Sequence, residues 1–261
     1  MFKNRSIDSS KPAFCDSAAF LRMERADPRF LETYARYVEA QTYEEEYLLD
    51  ARRKIDVVAE AVRACVAKDG RMGACVDASG MVGRMLDRLE VWNYVAKATL
   101  TITFGTSEHE PEYFWVLDEG HFVASHAIVV APPYGVVDVT IKQQPYPPEK
   151  RALLPDIVLG DHFDLSTWEA DDLASPDVQI AALQAGFRRF ADYVRRTNPQ
   201  MLEVMEALPP RVLTMENLAL KYVPVAVGGF TEPLEELFGY KPCGKTALEL
   251  FESDVVPRLG P

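Results

Sequence analysis

The stretch that decides the fold covers residues 70–91 and reads GRMGACVDASGMVGRMLDRLEV. Apolar side chains recur in it at the three- and four-residue spacing of a helix, as at Val82, Met85 and Leu89. This spacing predicts an amphipathic helix that begins at or just before Cys75. Because the start of a helix carries partial positive charge, a cysteine placed there is favoured as a thiolate. Cys75 is therefore a candidate nucleophile.

After this helix the sequence changes to the period-two, β-branched pattern of strands. Strands are predicted over residues 94–104, 113–117, 126–131 and 136–141, with a hairpin turn at residues 132–135. Neighbouring strands joined by short loops form an antiparallel sheet. The predicted fold class is α+β, with the helix of the nucleophile packed on this sheet.

Helical patterns flank the central segment on both sides. Before it, residues 27–68 predict two helices or one kinked helix that Gly70 ends. After it, helices are predicted over residues 177–196, 199–207 and 231–253. We therefore expect a flexible arm over residues 1–26, a core over residues 27–170 and a C-terminal helical region over residues 171–261 that packs on the core.

Charge and hydropathy limit the classes of partner. The chain has 261 residues and a formal net charge of −12, whereas nucleic-acid binding needs clustered Lys and Arg, so no nucleic-acid partner is expected. No apolar run approaches the ~18 residues of a membrane span, so no membrane partner is expected. The polar first residues lack the apolar segment of a signal peptide. A cytoplasmic protein is expected, although secretion without such a signal stays open.

The cysteines and histidines do not form a metal pattern. Cys15, Cys65, Cys75 and Cys243 are irregularly spaced, with no CxxC pair. The four histidines lack a second spaced set, and the cluster at residues 118–121 is interpreted as a polar turn. We therefore predict no metal and no cofactor.

Two further residues complete a candidate catalytic group with Cys75. His126 begins one predicted strand, and Asp138 lies twelve residues later on the next. A tight hairpin would bring these two side chains within contact range. An imidazole pairs with a thiolate and protonates the leaving group, and a carboxylate fixes the orientation of the imidazole. The order Cys75, His126, Asp138 therefore predicts a catalytic triad.

The same residues resemble the transglutaminase-like domains of the papain-like cysteine enzyme superfamily. Residues 73–79 are similar to the Gly-x-Cys-x-Asp-x-Ala/Ser opening of their nucleophile helix. Residues 125–130 and 137–140 resemble their His-Ala-x-Val and Asp-x-Thr strands, so the resemblance covers about residues 70–141. It implies a papain-like core in which Cys75 attacks an amide or ester.

The resemblance also implies the rest of the reaction. His126 would move the proton, Asp138 would orient His126, and the acyl-enzyme would be resolved by water or by an amine. The expected substrate is a peptide or protein, with a small amide as another possibility. Neither the substrate's identity, nor the choice between hydrolysis and acyl transfer, nor the oligomeric state follows from the sequence.

The sequence departs from the family pattern at three points. Glu90 stands where the family usually has glycine, and Ile128 stands where an aromatic residue is common. No upstream oxyanion donor is identifiable, and Gln41 is a candidate by residue type alone. A catalytically retired transglutaminase-like fold that binds a protein partner is therefore the alternative interpretation.

A second motif points to a different class of protein. Residues Gly239–Thr246 read GYKPCGKT, which matches the phosphate-loop pattern GxxxxGK[ST]. A phosphate loop follows a buried strand and opens a helix. Residues 231–238 are instead polar with a helical pattern, so nucleotide binding is the weaker alternative.

Overall fold

The structure is a computed structural model that describes residue 2 and residues 6–105, 109–118 and 126–260. The described residues form an α+β fold of helices and an antiparallel sheet. The chain divides into two compact units. Unit 1 comprises the described residues within 1–95, 128–161 and 227–261, and unit 2 comprises those within 96–127 and 162–226.

The helices are distributed along the whole described chain. They are α1 (Ala18–Ala26), α2 (Leu31–Ala40), α3 (Glu45–Asp69), α4 (Cys75–Arg88), α5 (Pro148–Leu153), α6 (Ala170–Leu173), α7 (Pro176–Gln184), α8 (Phe190–Thr197), α9 (Pro199–Ala207), α10 (Ala247–Leu250) and α11 (Val256–Leu259). Helix α4, which begins at the candidate nucleophile Cys75, and the long helix α3 that precedes it both lie in unit 1.

The strands form one sheet in the order β5-β4-β3-β1-β8-β7-β6, with β2 paired to β1. They are β1 (Tyr94–Phe104), β2 (Glu112–Phe114), β3 (His126–Ala131), β4 (Tyr134–Asp138), β5 (Val158–Gly160), β6 (Asp164–Leu165), β7 (Arg211–Met215) and β8 (Leu218–Gly228). The predicted hairpin is present: β3 and β4 are antiparallel, and Val129 is opposite Val137.

Each unit has its own apolar core. In unit 1, residues of α3 such as Ile55 and Val62 pack with residues of α4 such as Val82 and Met85, together with apolar residues of β3 and β4. In unit 2, the core contains side chains from α8, α9 and β8, namely Val194, Leu202, Met205, Val223 and Val225. Burial of these side chains stabilises the elements that carry the candidate site.

Several predicted elements are confirmed, and one region is corrected. β1 and β3 have the predicted bounds, α4 begins at Cys75, and Gly70 ends α3 in the left-handed conformation. The C-terminal region, predicted to be helical, also contains the strands β7 and β8. That part of the prediction is wrong because local periodicity does not show which distant segments a strand can pair with.

The described residues of the predicted arm are folded. They include a 3₁₀ turn at Phe14–Asp16 and helix α1. The rings of Phe2, Phe14 and Phe20 are buried and contact one another, with the Phe2 and Phe14 centroids 4.9 Å apart. Aromatic burial of this kind stabilises a segment whose polar composition suggests mobility.

A buried arginine fixes the C-terminal half of α4. The guanidinium of Arg84 donates hydrogen bonds to Asp16 Oδ1 at 3.1 Å, to Asp87 Oδ2 at 3.1 Å and to the carbonyl of Phe230 at 2.6 Å. Asn93 donates to the other oxygen of Asp87 at 2.8 Å. One side chain thus connects three segments of unit 1 that are far apart in sequence.

The carboxyl group of Asp87 is expected to make stability depend on pH. Burial raises the pKa of Asp87 to about 6, although Arg84 and Asn93 act in the opposite direction. The folded chain therefore keeps a proton that an unfolded chain releases near pH 4, so this contribution to stability is lost as pH rises from 4 to 6. Between pH 4.5 and 7, the unfolding free energy of the wild type should fall by about 2 kcal/mol relative to Asp87→Asn.

Urea denaturation at the two pH values measures this difference. Asp156→Asn is the control, because a hydrogen bond from Lys142 lowers the pKa of Asp156 and gives a small effect of opposite sign. Parallel pH curves for the wild type and Asp87→Asn would contradict the prediction.

Candidate active site

The loop between α3 and α4 positions the start of the helix that carries the candidate nucleophile. Gly70 and Gly73 both have φ of 71°, a left-handed conformation that glycine adopts without a steric cost. The amide of Gly73 donates a hydrogen bond to the carbonyl of Gln143 at 2.8 Å. This bond joins the residue two positions before Cys75 to the segment that follows Asp138.

Cys75 is the first residue of α4, a helix of 14 residues. The preceding residue, Ala74, has no side-chain acceptor for the amides of the first turn, and no side-chain cap is made there. Uncapped amides at a helix start favour negative charge beside them. Cys75 is 4% exposed. Burial removes hydration from a thiolate but also strengthens its interaction with these amides, so the activation of Cys75 requires the helix start to outweigh the lost hydration.

Asp77, in the first turn of α4 with Cys75, forms an ion pair with Arg71. Asp77 would oppose a thiolate if its charge faced Cys75. Its carboxylate instead lies 2.9 Å from the guanidinium of Arg71, and that guanidinium stacks over the ring of Tyr240 at 4.7 Å. The ion pair compensates the charge of Asp77, so the first turn of α4 can stabilise an anion.

Asp138 is the last residue of β4 and is fully buried. Its Oδ1 accepts a hydrogen bond from the amide of Thr140 at 2.9 Å and one from the Thr140 hydroxyl at 3.2 Å. The Asp-x-Thr pattern therefore has a local function, since the threonine holds the aspartate. A buried carboxylate fixed in this way suits a group that orients a histidine.

His126 is the first residue of β3 and is also fully buried. Its ring centroid is 6.3 Å from that of Phe114 and 6.3 Å from that of Tyr222. His126 belongs to unit 2, as do Phe114 and Tyr222, whereas Cys75 and Asp138 belong to unit 1. The hydrogen bond from Gly73 to Gln143 links the segments of Cys75 and Asp138 within unit 1. The ring contacts of His126 described here are with residues of unit 2.

Gln41, the candidate oxyanion donor, and Gln143, near the start of α4, are two glutamines with different positions in the candidate site. The amide nitrogen of Gln41 is buried and has no hydrogen-bond acceptor among the described residues. Its role as an oxyanion donor stays a prediction. Sequence reasoning missed Gln143, whose backbone carbonyl accepts the hydrogen bond from the Gly73 amide, because it lies in a segment that the sequence predicts only as an irregular loop.

The other candidate sites can also be located. Among the described residues, no group of three or more His, Cys, Asp or Glu side chains could hold a metal ion. Glu119, Gly120 and His121 lie outside the described residues. Residues 239–246 follow the 3₁₀ turn at Leu234–Glu236, contain a second one at Pro242–Gly244 and precede the four-residue helix α10. Strand β8 ends well before them, at Gly228. This is not the strand–loop–helix arrangement of a phosphate loop.

Comparison with protein-family models, curated proteins and solved structures finds no match for this chain. The transglutaminase-like assignment consequently depends on the residues and motifs described above. No helix in the described part of the chain has the length and hydropathy needed to cross a membrane.

Proposed function

We propose that this protein is a transglutaminase-like cysteine enzyme that acts on amide or ester acyl groups through Cys75, His126 and Asp138. The observation that carries the proposal is the position of Cys75 as the first residue of α4, at an uncapped helix start. The ion pair between Asp77 and Arg71 supports it by compensating the nearest negative charge in that turn. The order Cys75, His126, Asp138, which resembles that of transglutaminase-like domains, identifies the two partners proposed for the thiol.

The chemistry proceeds in two steps. The Cys75 thiolate attacks the acyl carbon and forms a C–S bond, and the carbonyl electrons move onto oxygen, where backbone amides at the helix start can stabilise them. Collapse of this intermediate breaks the bond to the leaving group, which takes a proton from the imidazolium of His126. Water or an amine, deprotonated by His126, then attacks the thioester and releases Cys75.

This chemistry defines the substrate by its acyl group, which is that of an amide or an ester. A peptide or protein amide is the expected substrate, and a small amide is compatible with the same steps. All four cysteines are free thiols, which fits the reducing cytoplasm that we propose as the location. The core that carries these steps is proposed to be papain-like.

An activated ester tests the proposal without knowledge of the natural substrate. Incubation with 4-nitrophenyl acetate should release a burst of 4-nitrophenolate and leave one acetyl group on the peptide that contains Cys75, detected by mass spectrometry. Cys75→Ser should remove the burst and the adduct, whereas the matched control Cys243→Ser should retain both. Absence of an adduct on Cys75 in the folded wild type would favour the retired, protein-binding alternative.

A further inference from the structure

Unit 1 contains a cavity of about 230 Å³ along the half of α4 that is remote from Cys75. Gly80, Gly83, Arg84 and Asp87 line it from one face of this helix. A side chain at position 80 would meet the ring of Phe230, since an added Cβ would lie 2.2 Å from the ring carbon Cδ2. An added Cβ at position 83 would lie 3.1 Å from Val95 Cγ2, so both glycines let neighbouring side chains pack directly on the helix beside the cavity.

The charged groups around the cavity do not balance. Its lining contains the three carboxylates of Asp16, Glu24 and Asp87, but only one cationic side chain, that of Arg84. The guanidinium already donates to Asp16 and Asp87. Two negative charges consequently remain uncompensated when all of these groups are ionised.

Glu24 is the carboxylate that is free to receive a ligand. It makes no hydrogen bond and no ion pair with any of the described residues. Burial raises the pKa of Glu24, and the negative charge of Asp16 raises it further. A cation bound beside Glu24 would relieve both effects, because it replaces lost hydration and offsets the repulsion.

Aromatic and apolar side chains form other parts of the wall. Tyr34, Tyr94 and Phe230 line the cavity together with Leu21 and Leu31. Aromatic rings attract cations through their negative faces and also pack against apolar groups. A cavity of ~150 Å³ can hold benzene, so this volume suits a molecule of roughly ten non-hydrogen atoms.

We propose that this cavity is a binding site for a small organic cation, a primary amine that carries an apolar or aromatic group. The ammonium group would pair with Glu24 and Asp16, and the apolar part would pack against Tyr34 and Phe230. The site is separate from the candidate nucleophile, which lies at the other end of α4. It does not depend on the proposed enzymatic function.

Benzylamine, which is a cation at neutral pH, is the probe for the test. Amide spectra of the full-length ¹⁵N-labelled protein should show saturable shifts at Gly80, Gly83, Gly228 and Gly229, with a Kd of about 1 mM. Benzyl alcohol and benzoate match the probe in size but carry no positive charge. Each should bind at least about fivefold more weakly, as expected for loss of a partly exposed ion pair.

Glu24→Gln supplies the matched variant, because Glu24 has no partner among the described residues whose loss would disturb the fold. It should weaken benzylamine binding about fivefold, whereas Glu46→Gln, on the exposed side of α3, should leave the Kd unchanged. The proposal is overturned if these glycine amides do not shift, if benzyl alcohol binds as tightly as benzylamine, or if Glu24→Gln binds benzylamine as the wild type does.

Discussion

His126→Gln is expected to lower the rate at which 4-nitrophenyl acetate acylates Cys75 by about 10³-fold. Glutamine is similar in length to histidine and can donate a hydrogen bond, but it cannot take up and return a proton near neutral pH. The thiolate therefore loses the imidazolium partner that keeps it ionised, and this loss accounts for the expected effect because 4-nitrophenolate leaves without a proton. Stopped-flow absorbance of the released 4-nitrophenolate measures the acylation rate.

The exposed histidine at position 162 supplies the matched control for this variant. His162→Gln should acylate at the wild-type rate, because the proposed reaction does not use that side chain. Since His126 is fully buried, the thermal midpoint and circular dichroism of His126→Gln must first show that it is folded. A folded His126→Gln protein that acylates within about twofold of the wild-type rate would rule out His126 as the acid–base group.

Arg84→Met is expected to cost about 3–5 kcal/mol of unfolding free energy at pH 7. Methionine fills part of the same volume but leaves the carboxylate of Asp87, whose side chain is 18% exposed, without its cation. It also breaks the links from α4 to Asp16 and to the carbonyl of Phe230. Urea denaturation monitored by tryptophan fluorescence gives the free energy.

A second substitution separates the charge effect from the packing effect. Arg84→Met combined with Asp87→Asn should recover part of the loss, because the negative charge that has lost its cation is removed. Arg189→Met is the control, since Arg189 makes an exposed ion pair with Asp192 and should change stability little. If Arg84→Met is within about 1 kcal/mol of the wild type, the structural importance assigned to Arg84 is wrong.

Elements with strong local signals could be predicted from the sequence. The start of β1 follows from a change of period between residues 88 and 94. The start of α4 at Cys75 follows from the helical spacing of apolar residues, and the bounds of β3 follow from β-branched content. Gly70 has both the residue type and the left-handed conformation of a helix end. In each case the decisive contacts lie within a few residues along the chain.

Elements that depend on distant partners could not be predicted in the same way. β7 and β8 stabilise each other by pairing, as at Leu213 and Leu220, and nothing in the local sequence identifies that partner. The residues before α2 are similar, because the ring of Phe14 is buried only once it meets those of Tyr34 and Trp92. The polar composition of that segment predicts mobility because it does not show these contacts with distant aromatic residues.

The same distinction applies to the candidate site: its candidate catalytic residues could be predicted, but the contacts that position them could not. Cys75 and Asp138 were found from residue type and order. Their supports, the hydrogen bond from Gly73 to Gln143 and the ion pair between Arg71 and Asp77, arise from loop geometry that no periodic pattern encodes. The cavity beside Glu24 also lacks a sequence motif, because its walls come from separated segments.

The central claim, that Cys75 is an activated thiol, is tested most directly by comparing the alkylation rates of all four cysteines. Burial raises the pKa of Cys65 to about 11 and raises that of Cys15 well above its usual value, so both should react slowly. Cys243 is half-buried and serves as the internal reference.

The measurement is peptide mapping after timed treatment of the native protein with iodoacetamide at pH 6 to 8. We expect Cys75 to react about tenfold faster than Cys243 at pH 6.5, with a rate that rises little above pH 7, because a thiolate already formed gains nothing from added base. A Cys75 rate at or below that of Cys243, rising tenfold per pH unit as for an ordinary thiol, would contradict the account.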